Sequence, residues 1–182
     1  MKHSQNDFLA LYEPIHESFA RFCHARAYGV MEAEDLISES VVKALEKFHT
    51  LKNPKAFLAF MFTIAKNIAI KKYRRQKFTG YYNEHAANQI HDQEVDAETK
   101  MDIELLYQAL NTLPSKQKEA IVLFEISGFS VKEVAEIQSS GESAVKQRLK
   151  RGREALADYF KLDRLKEESL NKRSATLMSV FL

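Results

Sequence analysis

The stretch from Phe129 to Leu156 constrains this chain more than any other, because it reads as two helices around a tight turn, the second strongly basic. Ser130 suits an N-cap, and Glu133 three residues on completes the capping-box pattern, in which each side chain bonds the other's backbone N–H. Val131, Val134, Ala135 and Ile137 then share one helical face. Ser139, Ser140 and Gly141 interrupt that period, and a new one starts with Ala144, Val145, Leu149 and Leu156. The second helix also carries Lys146, Arg148, Lys150, Arg151 and Arg153, with no acid among them. A short capped helix, a turn of small residues and a basic helix with one apolar stripe is the pattern of a helix-turn-helix that reads DNA. A solvated basic helix in an ordinary bundle would need neither the cap nor the turn.

The net charge of the 182 residues is only +2, so the distribution of charge, not its total, bears on nucleic acid. A first lobe over residues 8–78 has three helical periods. Phe8, Leu11, Tyr12, Ile15, Phe19 and Phe22 form one that ends near Gly29; Leu36, Val41, Val42, Leu45 and Phe48 form the second, opened by the acids from Glu32 to Asp35. Thr50 to Lys55 is a polar loop with Pro54, and a third helix from about Ala56 places Phe57, Phe60, Met61, Ile64 and Ile68 together. From Lys66 to Lys77 this helix holds six basic residues and no acid; Asn67, Lys71 and Arg74 lie at i, i+4 and i+7, on one stripe. An amide and two cations in line suit a phosphate and base surface.

The composition then reverses. Thr79 to Glu104 holds seven acids and one base, so residues 79–100 are expected to form an acidic flexible linker, with helix resuming near Ala97. Residues 101–160 form a second lobe, in which a helix with Leu106, Leu110 and Leu113 stops before Pro114 and another carries Ala120, Ile121 and Phe124 to a hinge at Gly128. Residues 161–182 are a C-terminal tail of alternating charge and leucine. The fold class expected is all-α: two small helical domains joined by a linker.

Little suggests catalysis. Cys23 is the one cysteine, which excludes an intramolecular disulfide. His3, His16, His24, His49, His85 and His91 are scattered, and no glycine-rich phosphate loop or nucleophile triad is present. No metal or cofactor is expected, and the chain is expected not to be an enzyme. With no apolar run near the roughly twenty residues a membrane helix needs, no membrane insertion and a cytoplasmic location are expected.

Both lobes resemble the extracytoplasmic-function (ECF) sigma factors, the small specificity subunits of bacterial RNA polymerase. The run from Ala33 to Ser40 is similar to the family's core-polymerase-binding signature, Phe57 to Asn67 to its promoter-opening helix, and Leu113-Pro114 with the helix-turn-helix to the domain that reads the upstream promoter element. The resemblance implies sigma region two over the first lobe and region four over the second. It assigns Asp35, Leu36, Glu39 and Val42 to the polymerase clamp helices. It assigns Thr50, Lys52, Asn53, Lys55, Phe60, Asn67, Lys71 and Arg74 to the minus-ten element, and Ser143, Lys146, Gln147, Lys150 and Arg151 to the minus-thirty-five element. The partners implied are core RNA polymerase (clamp helices and flap), promoter DNA and an anti-sigma factor. Four positions depart from the pattern: Ser38 for Gln, Phe60 for Trp, Lys71 for Asp, and Gln138-Ser139-Ser140 where Leu-Gly-Ile is frequent, which removes an apolar turn anchor. The alternative is a stand-alone helix-turn-helix regulator that binds palindromic DNA as a dimer, which leaves the basic stripe of the first lobe without a task.

Overall fold

A computed structural model describes residues 5–79 and 97–180 of the chain, and every regular element among them is helical. In the first lobe α1 (Gln5–Tyr12) is followed by a 3-10 turn at Glu13–Ile15 and then α2 (His16–Ala27). The single period expected from Phe8 to Phe22 is thus two helices, because Pro14 cannot donate the backbone bond that would continue the first. α3 spans Ala33–Lys47 and α4 spans Phe57–Thr79.

This lobe is held by rings. Phe8 meets Phe48 and Phe57 edge-on at 5.4 and 5.5 Å. Phe62 of α4 takes Phe19 and Phe22 of α2 at 5.3 and 4.7 Å, also edge-to-face. Each is almost wholly buried. Such pairs add about 0.5–1.5 kcal/mol beyond the area they hide. The basic half of α4 is tied down as well, since Gln76 Nε2 donates to the Val30 carbonyl at 2.6 Å.

The second lobe comprises α5 (Ala97–Thr112), α6 (Ser115–Ile121), a π-helical turn at Val122–Ile126, α7 (Val131–Ile137) and α8 (Glu142–Val180). Gly128, with φ of +80°, turns the chain out of the π segment, a conformation that glycine adopts without a Cβ penalty. The capping box at Ser130 is complete: the Ser130 N–H donates to Glu133 Oε2 at 2.8 Å, and the Glu133 N–H donates to Ser130 Oγ at 3.3 Å. Val134, Ala135, Val145 and Leu149 are buried where α7, α6 and α8 converge.

Helix resumes at Ala97, where the composition places it, and residues 80–96 of the expected linker lie outside the described ones. α8 runs unbroken past Phe160, so the tail continues the basic helix.

Candidate nucleic-acid interface

Burial of Val145 and Leu149 fixes which way α8 turns its other sides. Ser143, Lys146, Gln147, Lys150 and Arg151 are all exposed, and at about 100° per residue they cover an arc of roughly 140° opposite the buried stripe. Lys150 approaches Glu154 at 3.9 Å along the surface, a pairing that solvent and salt largely screen. The other two cations of the run bond to neighbouring segments of the lobe, Arg148 from a half-buried position and Arg153 at the surface. Arg148 Nη1 donates to Gln138 Oε1 at 2.6 Å and to Ser140 Oγ at 2.8 Å. Arg153 Nε donates to Glu125 Oε1 at 2.7 Å, and its guanidinium lies 5.5 Å from the centre of the Phe124 ring.

On α4, Asn67, Lys71 and Arg74 are exposed along one line. Phe60, two turns before Asn67, shares that line but is half-buried, tilted against Phe57 with ring centres 6.4 Å apart. Phe78, not among the residues expected to touch DNA, continues the line at i+11 from Asn67 and is 94% exposed; its spacing was the available signal. The loop before α4 is shaped by 3-10 turns at Phe48–Thr50 and Pro54–Ala56. Thr50 Oγ1 donates to the Lys47 carbonyl at 2.7 Å, and Asn53 Oδ1 accepts from the Lys55 N–H at 3.0 Å. Buried Leu51 anchors it while Lys52, Asn53 and Lys55 remain exposed.

On α3, Asp35, Glu39 and Val42 form an exposed strip, with Glu39 paired to Lys43 one turn on. Leu36 does not belong to it. Its side chain has no exposed surface and packs into the first lobe's core, so it supports the strip from beneath and corrects the expectation of a direct contact.

The two lobes pack against each other. Phe62 meets Phe129 edge-on at 5.1 Å and Tyr28 stacks on Tyr107 at 4.2 Å. Arg21 Nη2 donates to the Ser127 carbonyl at 3.2 Å, and Lys66 Nζ pairs with Glu119 Oε1 at 2.8 Å. Thr63, Lys66 and Asn67 line one cleft with Glu119, Gln138 and Ser139, so part of the α4 stripe faces the second lobe. Burial followed by the nearby Arg26 charge lowers the Lys118 pKa to about 8. Burial also lowers that of Arg26, partly offset by Glu119. The Tyr28 hydroxyl is buried with no hydrogen-bond partner among the described residues. Burial pushes the Cys23 thiol up to about 12, which keeps it protonated and unreactive. Among the described residues no His, Cys, Asp and Glu group is arranged to hold a metal, and no helix is long and apolar enough to cross a membrane.

Comparison with known proteins places both lobes. Residues 11–79 match the family model for sigma-70 region 2, and residues 103–156 that for sigma-70 region 4. The ECF RNA polymerase sigma factor SigX of Bacillus subtilis is 26% identical over 92% of this chain and 89% of its own length. The ECF RNA polymerase sigma-E factor of Haemophilus influenzae is 30% identical, over 67% of this chain and 71% of its own. Among solved structures, the sigma factor RpoE of Bartonella quintana, in complex with the anti-sigma factor NepR, superposes with a TM-score of 0.60 at 26% identity, covering 87% of this chain and 99% of that one. With two matched domains in the family's order, joined to an exposed basic helix and an exposed basic stripe, the chain belongs to the ECF sigma factors of the sigma-70 family.

Proposed function

We propose that this sigma factor divides promoter recognition between its lobes, at the residues its exposed faces present. The strip of Asp35, Glu39 and Val42 on α3 docks on the clamp helices of core polymerase, and the second lobe meets the flap. The loop residues Thr50, Lys52, Asn53 and Lys55, with Phe60, Asn67, Lys71 and Arg74 of α4, take the minus-ten element. Ser143, Lys146, Gln147, Lys150 and Arg151 of α8 take the minus-thirty-five element. The single observation that carries this reading is the set of exposed positions on α8, which stand opposite the buried Val145 and Leu149.

Magnitudes explain why such a protein works inside a larger machine. Opening about ten base pairs at roughly 1.4 kcal/mol per step costs on the order of 14 kcal/mol. Stacking one captured base on an aromatic ring returns about 1–3 kcal/mol. The polymerase must hold the rest of the opened strands, and the sigma factor needs no catalytic step or cofactor of its own.

Geometry adds a requirement. Two elements about 25 base pairs apart are separated by roughly 85 Å of duplex, whereas Lys66 and Glu119 are in contact across the lobes. The packed arrangement and the promoter-bound one are therefore different states. An anti-sigma protein, like that bound to the Bartonella relative, is a natural partner for the packed state, and the cytoplasm is the natural place of action.

The test is run-off transcription with sigma-free bacterial core polymerase on fragmented genomic DNA, followed by sequencing of transcript starts. Starts that share a two-part upstream motif and vanish without the protein are expected. Binding of a palindromic site as a dimer, with no polymerase-dependent starts, would replace this reading with the stand-alone regulator.

A further inference from the structure

α8 is gripped on both flanks by two arginines of its basic run, Arg148 and Arg153. Taking the middle of the buried stripe as reference, Arg148 and Arg153 stand roughly 70° to either side of it. Arg148 reaches back to the turn, bonding Gln138 Oε1 and Ser140 Oγ at 2.6 and 2.8 Å. Arg153 reaches the π segment, bonding Glu125 Oε1 and lying over the Phe124 ring. Neither group of partners is on the exposed face.

Gln138 makes the first grip part of the body of the lobe. Its Nε2 donates to the Lys116 carbonyl at 3.1 Å and to Glu119 Oε2 at 3.2 Å. Its amide thus spends its oxygen on α8 and its nitrogen on α6. Between the two bonded residues, Ser139 holds φ at +48°, a left-handed conformation that costs a non-glycine residue energy and persists where neighbours enforce it. The turn carries no apolar anchor, and this polar clasp occupies its place.

We propose that Arg148 and Arg153 are positioning residues that set the rotation of α8 about its own axis, and so decide which of Ser143, Lys146, Gln147, Lys150 and Arg151 meet which base. Val145, Leu149 and Gly152 seat the helix along one narrow stripe, and a polar tie on each side fixes its rotation about that stripe. The proposal rests on the reading of α8 as the helix that faces DNA. It makes the minus-thirty-five preference depend on Gln138 and Glu125, two side chains that do not face the duplex.

The experiment uses the full chain with core polymerase on promoter libraries randomised over the minus-thirty-five or the minus-ten element, at several salt concentrations. The variants are Arg148→Ala, Arg148→Lys, Gln138→Ala and Glu125→Gln, with amide exchange over residues 144–152 measured on each chain alone. Loss of a tie is expected to reduce discrimination at the minus-thirty-five element by about threefold to tenfold, the range of one or two hydrogen bonds. The minus-ten preference and the slope of log affinity against log salt stay as they were. Arg148→Lys behaves like Arg148→Ala, because the lysine side chain is one bond shorter and its ammonium falls short of the two acceptors that Arg148 Nη1 serves. Gln138→Ala reproduces Arg148→Ala, and the double variant is no worse than either.

A phosphate contact would give the opposite pattern and overturn the proposal: Arg148→Ala lowers the salt slope by about one, Arg148→Lys is nearly silent, and Gln138→Ala has no effect. If the wild-type chain selects no sequence with polymerase, the promoter reading fails on its own account. Amide exchange then still decides the ties, with faster exchange in Gln138→Ala supporting them and unchanged exchange overturning them.

Discussion

Lys66 of α4 and Glu119 of α6, 53 residues apart in the chain, meet at 2.8 Å and join the two lobes through a carboxylate whose side chain is only 11% exposed. Glu119 also receives the Gln138 amide, so the contact between lobes and the anchoring of the helix-turn-helix share one acceptor. Arg26 and Lys118 line a second crevice beside it, with Glu119 itself. The boundary is a packed one, yet it holds two cations at a cost and leaves the Tyr28 hydroxyl without a partner among the described residues. An interface made this way is suited to being broken.

Reversing one charge tests that suitability. Lys66→Glu places two carboxylates together and is expected to shift the balance toward separated lobes by on the order of 1–2 kcal/mol, between the values of exposed and buried pairs. Small-angle scattering reads it as a larger radius of gyration, and Lys66→Glu with Glu119→Lys restores the smaller one. An unchanged radius would show that Phe62 with Phe129 and Tyr28 with Tyr107 hold the lobes without the ion pair.

Lys118 predicts a pH dependence with a definite sign. Its pKa is lowered to about 8 in the folded chain from 10.5, so between these values the unfolded chain binds more protons and stability rises with pH. Cys23 acts oppositely, because a thiol raised from 9.0 to about 12 makes the unfolded chain lose its proton first. Melting temperature is therefore expected to climb from about pH 8 to 9, level off to about 10.5 where the two oppose each other, and fall beyond it. Lys118→Met removes the climb, and wild-type behaviour in that variant would assign it elsewhere.

At Gly152 α8 lies close against Ile121 of α6. A Cβ placed there lies 2.9 Å from Ile121 Cγ1 and 3.2 Å from its Cδ1, and Ile121 is a buried, β-branched residue with little room to yield. Gly152→Ala gains about 1 kcal/mol of helix propensity but pays an overpacking cost of about 1–3 kcal/mol. A net loss is expected, read as a lower denaturant midpoint with unchanged slope. Stabilisation would mean the two helices separate without penalty.

Gln147 is the neutral side chain on the exposed arc of α8 that pairs best with adenine, offering a donor and an acceptor to N7 and N6. Gln147→Ala is expected to cost about 1–3 kcal/mol at one base pair of the minus-thirty-five element and to leave the salt slope unchanged. A selection on randomised promoters reads both, and an unaltered preference removes Gln147 from the base contacts.

The local features were legible because short-range chemistry writes them. Ser130 and Glu133 announce a cap through their spacing, and Asn67, Lys71 and Arg74 announce one face through theirs. Pro14 breaks the first helix, yet Leu11 and Ile15 keep a helical period across it, so the apolar pattern alone runs through the break. Leu36 misled for a related reason. A signature names a run of residues, while helical rotation decides which of them point outward, and Leu36 turns into the core where Asp35 and Glu39 do not. Phe78 completes a line already drawn from Asn67.

The amino-acid order by itself determined the helices, their caps, the two-lobe plan and the family, because all of these follow from spacing and composition within a few tens of residues. Only the tertiary structure decided how the five cations from Lys146 to Arg153 are engaged. Lys146, Lys150 and Arg151 stand on the exposed arc, whereas Arg148 is half-buried against the turn and Arg153, though exposed, is tied to the π segment. It also decided that Lys66 meets Glu119 rather than solvent. The reason is physical: a charge in a sequence carries no record of its partner, and a hydrogen bond between distant segments exists only once packing has brought them within about 3 Å.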